Sequence, residues 1–212
     1  IKILKKNGFN HIILPLGYRG KQIKVFLKKN DNFKIKIKTF ETGLNTNIGK
    51  RLAQVIDEVG SNYFLLLNGD AIFDFNINNL IDNHLRSKSS VTFMSTEMTY
   101  QYGTVGVIND KVVDFKRKLF FEKLKVRGKG NYIAYNYSGI SIINTKDLKK
   151  LKKICHKSEN FEMEIYPRLI KKKAIMKSIK GFWYSIDNLK DINFLKKDRS
   201  KISILKKIKA RI

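Results

Sequence analysis

Asp70 is the residue of this sequence whose type and position best suit chemistry. It ends the run YFLLLNGD (63–70), the strongest candidate for a buried strand in the chain. In an open α/β sheet, ligands bind outside the carboxyl ends of the strands, and Mg²⁺ is held by one or two carboxylates together with phosphate oxygens. The preceding Gly69 lacks a side chain and would let a phosphate or ribose approach the backbone. Asp70 is therefore either a metal ligand or part of an Asx-turn that merely ends the strand.

A second carboxylate, Asp187, strengthens the metal interpretation. It lies in GFWYSIDNLKD (181–191), after an aromatic-rich strand and before a helix, and Asp191 follows four residues later. Two carboxylates from separate elements commonly hold one metal that bridges substrate phosphates. The alternative is that Asp187 only caps the helix that follows it.

A third candidate is the loop in ETGLNTNIGKRL (41–52), which leads into an amphipathic helix. Its backbone groups and small side chains suit the edge of a nucleobase, and Arg51 adds a positive charge for a phosphate. The alternative is a generic loop in which Thr46 or Asn47 caps the helix.

The elements that must position these residues alternate in the first half of the chain. Apolar runs and amphipathic stretches follow one another as strand, helix, strand, helix, the pattern of a doubly wound parallel sheet. The second half carries strands broken by turns, which predicts hairpins, followed by helices, a strand-like segment and a closing helix. The predicted strands of the first half are 10–16, 33–41, 63–70 and 90–98, and the later helices lie around 146–156, 161–172 and from about 188.

The charge is strongly basic, because 44 Lys and Arg face 18 Asp and Glu for a formal net charge of +26. Of the 44, 36 are Lys and only 8 are Arg, and the lysines are spread along the whole chain. Specific readers of phosphates and bases use Arg, whose planar fork binds bidentately. A solvated basic surface is the favoured interpretation, attraction of anionic substrates the second, and nucleic-acid binding the weakest.

Length and cysteine content limit the classes further. With 212 residues the chain is long enough for one buried α/β core, and it has no apolar run long enough to span a membrane. Its single cysteine, Cys155, excludes an internal disulfide and indicates a reducing compartment, so we expect a cytoplasmic protein. Cys155 precedes His156, but neighbouring helical residues do not face each other. A buried structural cysteine is therefore expected.

The strand-end carboxylates resemble those of the sugar-phosphate nucleotidyltransferases, a family with a Rossmann-like α/β fold. In that family, an Asp that follows Gly at a strand end and a later Asp after G-[FY]-W hold Mg²⁺. The resemblance implies that Asp70 and Asp187 correspond to these two residues. Further matching fragments follow in the family's order: FNHIILPLGY (9–18), YGTV (102–105) and FEMEIYPRL (161–169). The resemblance covers nearly the whole chain and implies a mixed, mainly parallel sheet with helices on both faces.

The loop at 41–52 resembles T-G-x-x-T-x-T-G-G-R-L of glucose-1-phosphate cytidylyltransferases. Two positions of that pattern are replaced, whereas Thr46, Gly49 and Arg51 match it. The resemblance therefore implies that these three residues and Gly69 bind the nucleotide, and it favours CTP.

The sugar-side residues depart from the family. FKRK (115–118) stands where the family commonly carries F-x-E-K-P, so Lys118 keeps the implied role of holding the acceptor phosphate, but Arg117 replaces a Glu that binds sugar hydroxyls. A cation does not accept hydroxyl protons, so Arg117 favours an acceptor with an acid or a second phosphate. The other substrate-binding residues that the resemblance implies are Gly103, Ser138, Gly139 and Trp183.

The implied function is transfer of a nucleotidyl group from an NTP to a sugar 1-phosphate or similar phosphomonoester, with Mg²⁺ as cofactor and Asp70, Asp187 and Lys118 as catalytic residues. The products are an NDP-sugar, for cell-surface polysaccharide precursors, and pyrophosphate. We expect one domain over 1–212, with a nucleotide-binding half at about 1–100 and a sugar-phosphate-binding half at about 101–212. Uridylyl or guanylyl transfer and homo-oligomerisation stay open.

The family's first strand and its G-G-x-G-T-R phosphate loop would precede residue 1. We therefore expect an N-terminally incomplete copy of the domain. Together with Arg117, this expectation keeps a second hypothesis open, namely a catalytically inactive nucleotide-binding or regulatory domain of the same fold.

Overall fold

The structure, a computed structural model, describes residues 1–97, 99–120, 124–126, 130–132, 135–178 and 181–197. Side chains are described for all of these except 97, 99–108, 114, 116–120, 124–126, 130–132 and 197.

The described part of the chain alternates helices and strands in its first half and is richer in hairpins in its second. The helices are α1 (Lys2–Lys6), α2 (Gly20–Lys29), α3 (Ile48–Val55), α4 (Asn78–Ser87), α5 (Thr145–Lys150), α6 (Lys152–Lys157), α7 (Phe161–Glu164), α8 (Tyr166–Ile170) and α9 (Leu189–Lys197). The strands are β1 (His11–Leu16), β2 (Lys36–Glu41), β3 (Tyr63–Leu67), β4 (Ala71–Asp74), β5 (Val91–Glu97), β6 (Thr99–Ile108), β7 (Lys111–Phe120), β8 (Leu124–Val126), β9 (Gly130–Tyr132), β10 (Tyr135–Asn144), β11 (Ala174–Ser178) and β12 (Phe182–Ser185).

The strands confirm a mixed α/β fold. β1 and β2 pair in parallel, and a four-stranded sheet runs in the order β11-β5-β10-β3. In that sheet β11 is parallel to β5, but β10 is antiparallel to both β5 and β3. The repeating strand–helix order of the first half predicted parallel neighbours, and the later strand β10 instead inserts between two of them.

β10 separates two hydrophobic cores, because successive strand residues point to opposite faces. Ile140 and Ile142 face one core with residues of β4 and α4. Ile143 faces the other, which holds residues of α3, α6, α7 and α8. All three of these β10 isoleucines are 0% exposed. β10 is therefore an interior strand of the four-stranded sheet, and helices pack against both of its faces.

Cys155 lies in the second core and is 1% exposed. Burial raises the pKa of its thiol to about 11, so the side chain is a neutral thiol at neutral pH. The prediction of a structural cysteine is confirmed. None of the helices in the described part of the chain has the length and apolar character needed to cross a bilayer.

Buried His84 predicts an acid-sensitive fold. It is 3% exposed in α4, its Nδ1 lies 2.9 Å from Thr92 Oγ1, and burial lowers its pKa from 6.5. Below pH 6.5 the His84 imidazole binds a proton more readily in the unfolded chain than in the folded one. The stability that neutral, buried His84 contributes is therefore complete above pH 6.5 and is lost as the pH falls through its lower pKa in the folded protein. We expect the thermal unfolding temperature of the wild-type protein to decrease as the pH is lowered from about 7 to about 5. Plotted against pH, this decrease should have a smaller slope in His84→Gln. A His156→Gln control, which changes an exposed imidazole, should keep the wild-type slope; equal slopes for wild type and His84→Gln would contradict the assignment.

Candidate active site

The turn Asn68–Gly69–Asp70 leaves the four-stranded sheet at the carboxyl end of β3. The backbone N–H of Asn68 donates to Gly139 O at 2.9 Å, and Asp70 O accepts the N–H of Ile186 at 2.9 Å. Both Gly69 and Asp70 are exposed. A Cβ added at Gly69 would meet no atom within 4 Å, so the described residues give no packing reason for this glycine. The carboxylate of Asp70 has no hydrogen-bond or ion-pair partner in the described part of the chain.

A bulge in β10 lies beside this turn. The pairing of β10 with β5 shifts between Tyr137 and Ile140, so Ser138 and Gly139 are the bulged residues. Ser138 is 2% exposed and its hydroxyl donates to Met94 O at 2.6 Å. Gly139 has a φ of 73°, and a Cβ there would lie 2.9–3.0 Å from side-chain atoms of Asn68. The bulge therefore packs directly on the residue that begins the Asp70 turn.

Trp183 connects β12 to the same bulge. Its indole Nε1–H donates to Ser138 O at 3.0 Å, and the side chain is half-buried. The structure thus brings Ser138, Gly139 and Trp183 together, as a group that shapes the backbone. Their contact with a substrate stays a prediction.

Asp187 is brought next to Asp70 by a strand that the sequence did not reveal, β4. β12 pairs antiparallel with β4, with Ser185 opposite Ala71. The hydrogen bond from Ile186 to Asp70 continues this pairing beyond both strands, so Asp187 follows the residue that is bonded to Asp70. Asp70 and Asp187 therefore lie on adjoining chain segments, beyond the end of the β4–β12 pair.

The alternative role for Asp187, capping the next helix, is wrong. Asn188 is the cap of α9, because its Oδ1 accepts the backbone N–H groups of Lys190 at 2.8 Å and Asp191 at 3.3 Å. Asp187 is exposed, and its Oδ1 accepts the hydroxyl of Ser185 at 2.8 Å. Its Oδ2 has no partner among the described residues.

These two carboxylates fit a hard divalent cation. Mg²⁺ binds through one or two carboxylates and completes its shell with substrate phosphates and water, and Asp70 and Asp187 each offer at least one oxygen without a partner among the described residues. The described residues contain no group of three or more His, Cys, Asp or Glu that could hold a metal. A cation here would therefore be shared with the substrate.

The loop before α3 is held by its own side chains. Buried Thr42 donates from Oγ1 to Leu16 O at 2.9 Å, and Thr46 Oγ1 donates to Thr42 O at 2.6 Å. The guanidinium of Arg51 donates to Thr42 Oγ1 and, at 3.1 Å, to Gly43 O. Arg51 thus shapes the loop, a role that the sequence did not reveal, and its predicted contact with a phosphate stays a prediction.

Two further residues of this segment have structural roles. Asn47 is the cap of α3, since its Oδ1 accepts Lys50 N–H at 3.0 Å; it is one of the two residues that the alternative interpretation of the loop named for that cap. Gly49 is buried against α6, where a Cβ would clash with Ser158 Oγ and lie 3.0 Å from Cys155 O. Gly49 therefore has a packing role that sequence reasoning missed, and nucleotide contact by it is untested.

The predicted acceptor residues lie on the β6–β7 hairpin. Gly103 pairs with Arg117 across this hairpin. This pairing confirms the predicted hairpin and places the two residues opposite each other on neighbouring strands. The side chains of Arg117 and Lys118 lie outside the described residues, so their roles stay predictions.

A buried hydroxyl network behind the bulge was also missed. The hydroxyls of Tyr137 and Tyr166 lie 2.6 Å apart, and Ser141 Oγ lies 3.0 Å from the Tyr166 hydroxyl. Burial raises the pKa of both tyrosines, so they remain neutral hydrogen-bonding groups. The motif FEMEIYPRL (161–169) marked the helical segment that carries Tyr166. The partners of Tyr166, Tyr137 and Ser141, lie on β10, 29 and 25 residues earlier.

Comparison with known proteins identifies relatives over most of the chain. A family model described as nucleotidyl transferase matches residues 1–198. The chain is 28% identical over 214 residues to the Bacillus subtilis protein named "Probable glucose-1-phosphate cytidylyltransferase", covering 91% of this chain and 79% of that protein. It is 28% identical over 200 residues to the mannose-1-phosphate guanyltransferase of Kluyveromyces lactis, covering 90% of this chain but only 52% of that protein.

A solved structure shares the fold. The crystal structure of HddC from Yersinia pseudotuberculosis aligns with a TM-score of 0.63 and 19% identity, over 91% of this chain and 80% of that one. The resemblance to sugar-phosphate nucleotidyltransferases is confirmed by the family match. Because that match runs over residues 1–198 of 212, the chain belongs to the nucleotidyl transferase family of enzymes.

Proposed function

We propose that the protein transfers a cytidylyl group from CTP to a sugar 1-phosphate or a similar phosphomonoester and releases pyrophosphate. The observation that carries this proposal is the placement of Asp70 and Asp187 on adjoining segments, fixed by the Ile186–Asp70 hydrogen bond and the β4–β12 pairing. The NDP-sugar formed would serve as a precursor of cell-surface polysaccharide.

In the proposed reaction, a phosphate oxygen of the acceptor attacks the α-phosphorus of the NTP. A new P–O bond forms, the bond from the α-phosphorus to the oxygen that bridges to the β-phosphate breaks, and pyrophosphate leaves with that electron pair. No general base is needed, because the attacking oxygen is already anionic. Asp70 and Asp187 would hold Mg²⁺, which when bound neutralises charge that develops on the phosphates.

The residues around the carboxylates would orient the two substrates. Lys118 would hold the acceptor phosphate, and Arg117 would suit an acceptor that carries an acid or a second phosphate. Gly69 leaves open space beside Asp70 through which a phosphate could approach the backbone. The hydrogen bonds from Arg51 to Thr42 and Gly43 keep the loop at 41–52 in one shape, so that its backbone groups would bind a nucleobase with little further ordering cost.

The choice of CTP rests on the loop at 41–52 and on the cytidylyltransferase name of the Bacillus subtilis relative. A guanyltransferase is also among the relatives, so the base is the finer part of the proposal. Base choice depends on hydrogen bonds between the loop and the base edge, and a site built for such bonds discriminates strongly against a base that leaves them unmade.

Initial rates of pyrophosphate release test both parts of the proposal. The intact protein with Mg²⁺ is given CTP, UTP, GTP or dTTP, each with glucose 1-phosphate, mannose 1-phosphate or glucuronate 1-phosphate. We expect kcat/KM for CTP to exceed that for the other nucleotides by about 10-fold or more. A preference for another nucleotide would overturn the choice of CTP and retain the transfer. Absence of pyrophosphate release from a folded protein with every pair would overturn the transfer and favour the inactive binding domain.

A further inference from the structure

We propose that Asp191 is a positioning residue that fixes the Asp187 carboxylate relative to Asp70. This inference rests on the proposed function, because it assigns Asp191 a task only if Asp187 is a metal ligand. Asp191 does not take part as a third ligand, since both of its oxygens are already engaged by the protein.

Asp191 accepts hydrogen bonds from three residues that precede α9 in the chain. Its Oδ2 accepts the backbone N–H of Asp187 and that of Asn188, each at 2.9 Å. Its Oδ1 accepts the phenol O–H of Tyr184 at 3.0 Å. Hydrogen bonds to an ionised carboxylate are stronger than neutral ones, so these contacts hold the turn at 184–188 firmly.

Tyr184 extends this hold into the sheet. It lies in β12 opposite Ile72 of β4, and its ring stacks on Phe194 of α9 with centroids 5.3 Å apart. Asp191 and Phe194 are three residues apart and therefore lie on one side of α9. α9 therefore contacts β12 through one hydrogen bond and one ring-stacking interaction, both with the side chain of Tyr184.

Asp187 is consequently fixed from three directions. Its own N–H is bound by Asp191, the preceding residue is bonded to Asp70 O, and its Oδ1 is bound by Ser185. The oxygen left without a partner among the described residues is Oδ2. Such outer contacts orient a ligating carboxylate, and losing one commonly weakens metal binding.

Capping of α9 does not by itself account for Asp191. Asn188 already serves as the cap, with hydrogen bonds to two N–H groups of the first turn. Asp191 completes that cap through Asn188 N–H, but its bonds to Asp187 and Tyr184 reach residues that precede the helix. Asn188→Ala is therefore a matched control that removes the cap and leaves the contact between Asp191 and Asp187.

The affinity of the intact protein for Mn²⁺, measured from the electron paramagnetic resonance signal of the free ion, tests the inference. We expect Asp191→Ala to weaken Mn²⁺ binding by about 10-fold, because it removes both oxygens that accept the N–H groups of Asp187 and Asn188 and the hydroxyl of Tyr184. Asn188→Ala should stay within about twofold of wild type, and Asp187→Asn should lose the site. Circular dichroism checks that each variant is folded.

Equal effects of Asp191→Ala and Asn188→Ala, with Asp187→Asn still losing the site, would overturn the positioning role and leave the proposed metal site intact. Wild-type Mn²⁺ affinity in Asp187→Asn would overturn the metal site and the inference together. If Asp191→Ala does not fold, Tyr184→Phe replaces it, since it keeps the ring stacking and removes one hydrogen bond to Asp191. That variant should weaken Mn²⁺ binding by about threefold, and unchanged affinity would overturn the inference.

Discussion

Replacing Asp70 with Asn in the intact protein is expected to lower kcat for pyrophosphate release by about 10³-fold or more. The neutral amide keeps the size of the side chain but lacks the charge that holds a hard cation. The fold should not change, because Asp70 is exposed and its carboxylate has no partner among the described residues. Initial rates with CTP and a sugar 1-phosphate, together with the thermal unfolding midpoint, measure both effects.

Asp82→Asn is the matched control for this substitution. Asp82 is an exposed aspartate on α4, so the same loss of charge should leave kcat within about twofold of wild type. Equal losses in the two variants would mean that net charge matters and not the position of Asp70.

Replacing Gly139 with Ala is expected to lower the free energy of unfolding by about 2–3 kcal/mol. Gly139 has a φ of 73°, and a Cβ there would lie 2.9–3.0 Å from side-chain atoms of Asn68. The added methyl group therefore suffers backbone strain and pushes on the turn that carries Asp70. Urea unfolding followed by circular dichroism measures the loss, and kcat/KM should fall with it.

Gly60→Ala separates this effect from the general cost of changing a glycine. Gly60 is exposed, and a Cβ there would meet no atom within 4 Å. We expect a change of less than about 0.5 kcal/mol at that position. A comparable loss in both variants would contradict a special role for the bulge.

The sequence was most informative where a pattern is local. The apolar run at 63–70 predicted a buried strand that ends at Asp70. A strand is present, but β3 ends at Leu67, directly before the Asn68–Asp70 turn, and its residues are half-buried. The predicted hairpins and the helices around 146–156 and 161–172 are also present. Each of these follows from periodicity and turn residues within a short window.

The contacts that assemble the site depend on distant parts of the chain. β4 has only four residues, and its partner β12 lies more than a hundred residues later, so no local pattern marks either as half of a pair. The insertion of β10 between β3 and β5 is likewise a choice of partner that hydrophobic pattern does not encode. These two pairings bring Asp187 and the Gly139 bulge to Asp70.

The sequence identified candidate residues in the loop at 41–52, but not the groups of the protein that these residues contact. Arg51 was expected to contact a phosphate, which stays a prediction; its guanidinium also bonds the loop at Thr42 and Gly43, a role that the sequence did not reveal. Gly49 was expected to bind the nucleotide, and it packs on α6. A sequence shows which groups are available, whereas tertiary packing decides which of them hold the structure together.

The most direct test of the account compares pyrophosphate release by Asp70→Asn, Asp187→Asn and the double variant of the intact protein. If both carboxylates hold one cation, losing either removes the site, and the double variant should be about as slow as the slower single variant. A double variant that is slower than either single variant by a further factor of about 10 or more would show that the two residues act independently. That result would contradict a shared metal site at Asp70 and Asp187.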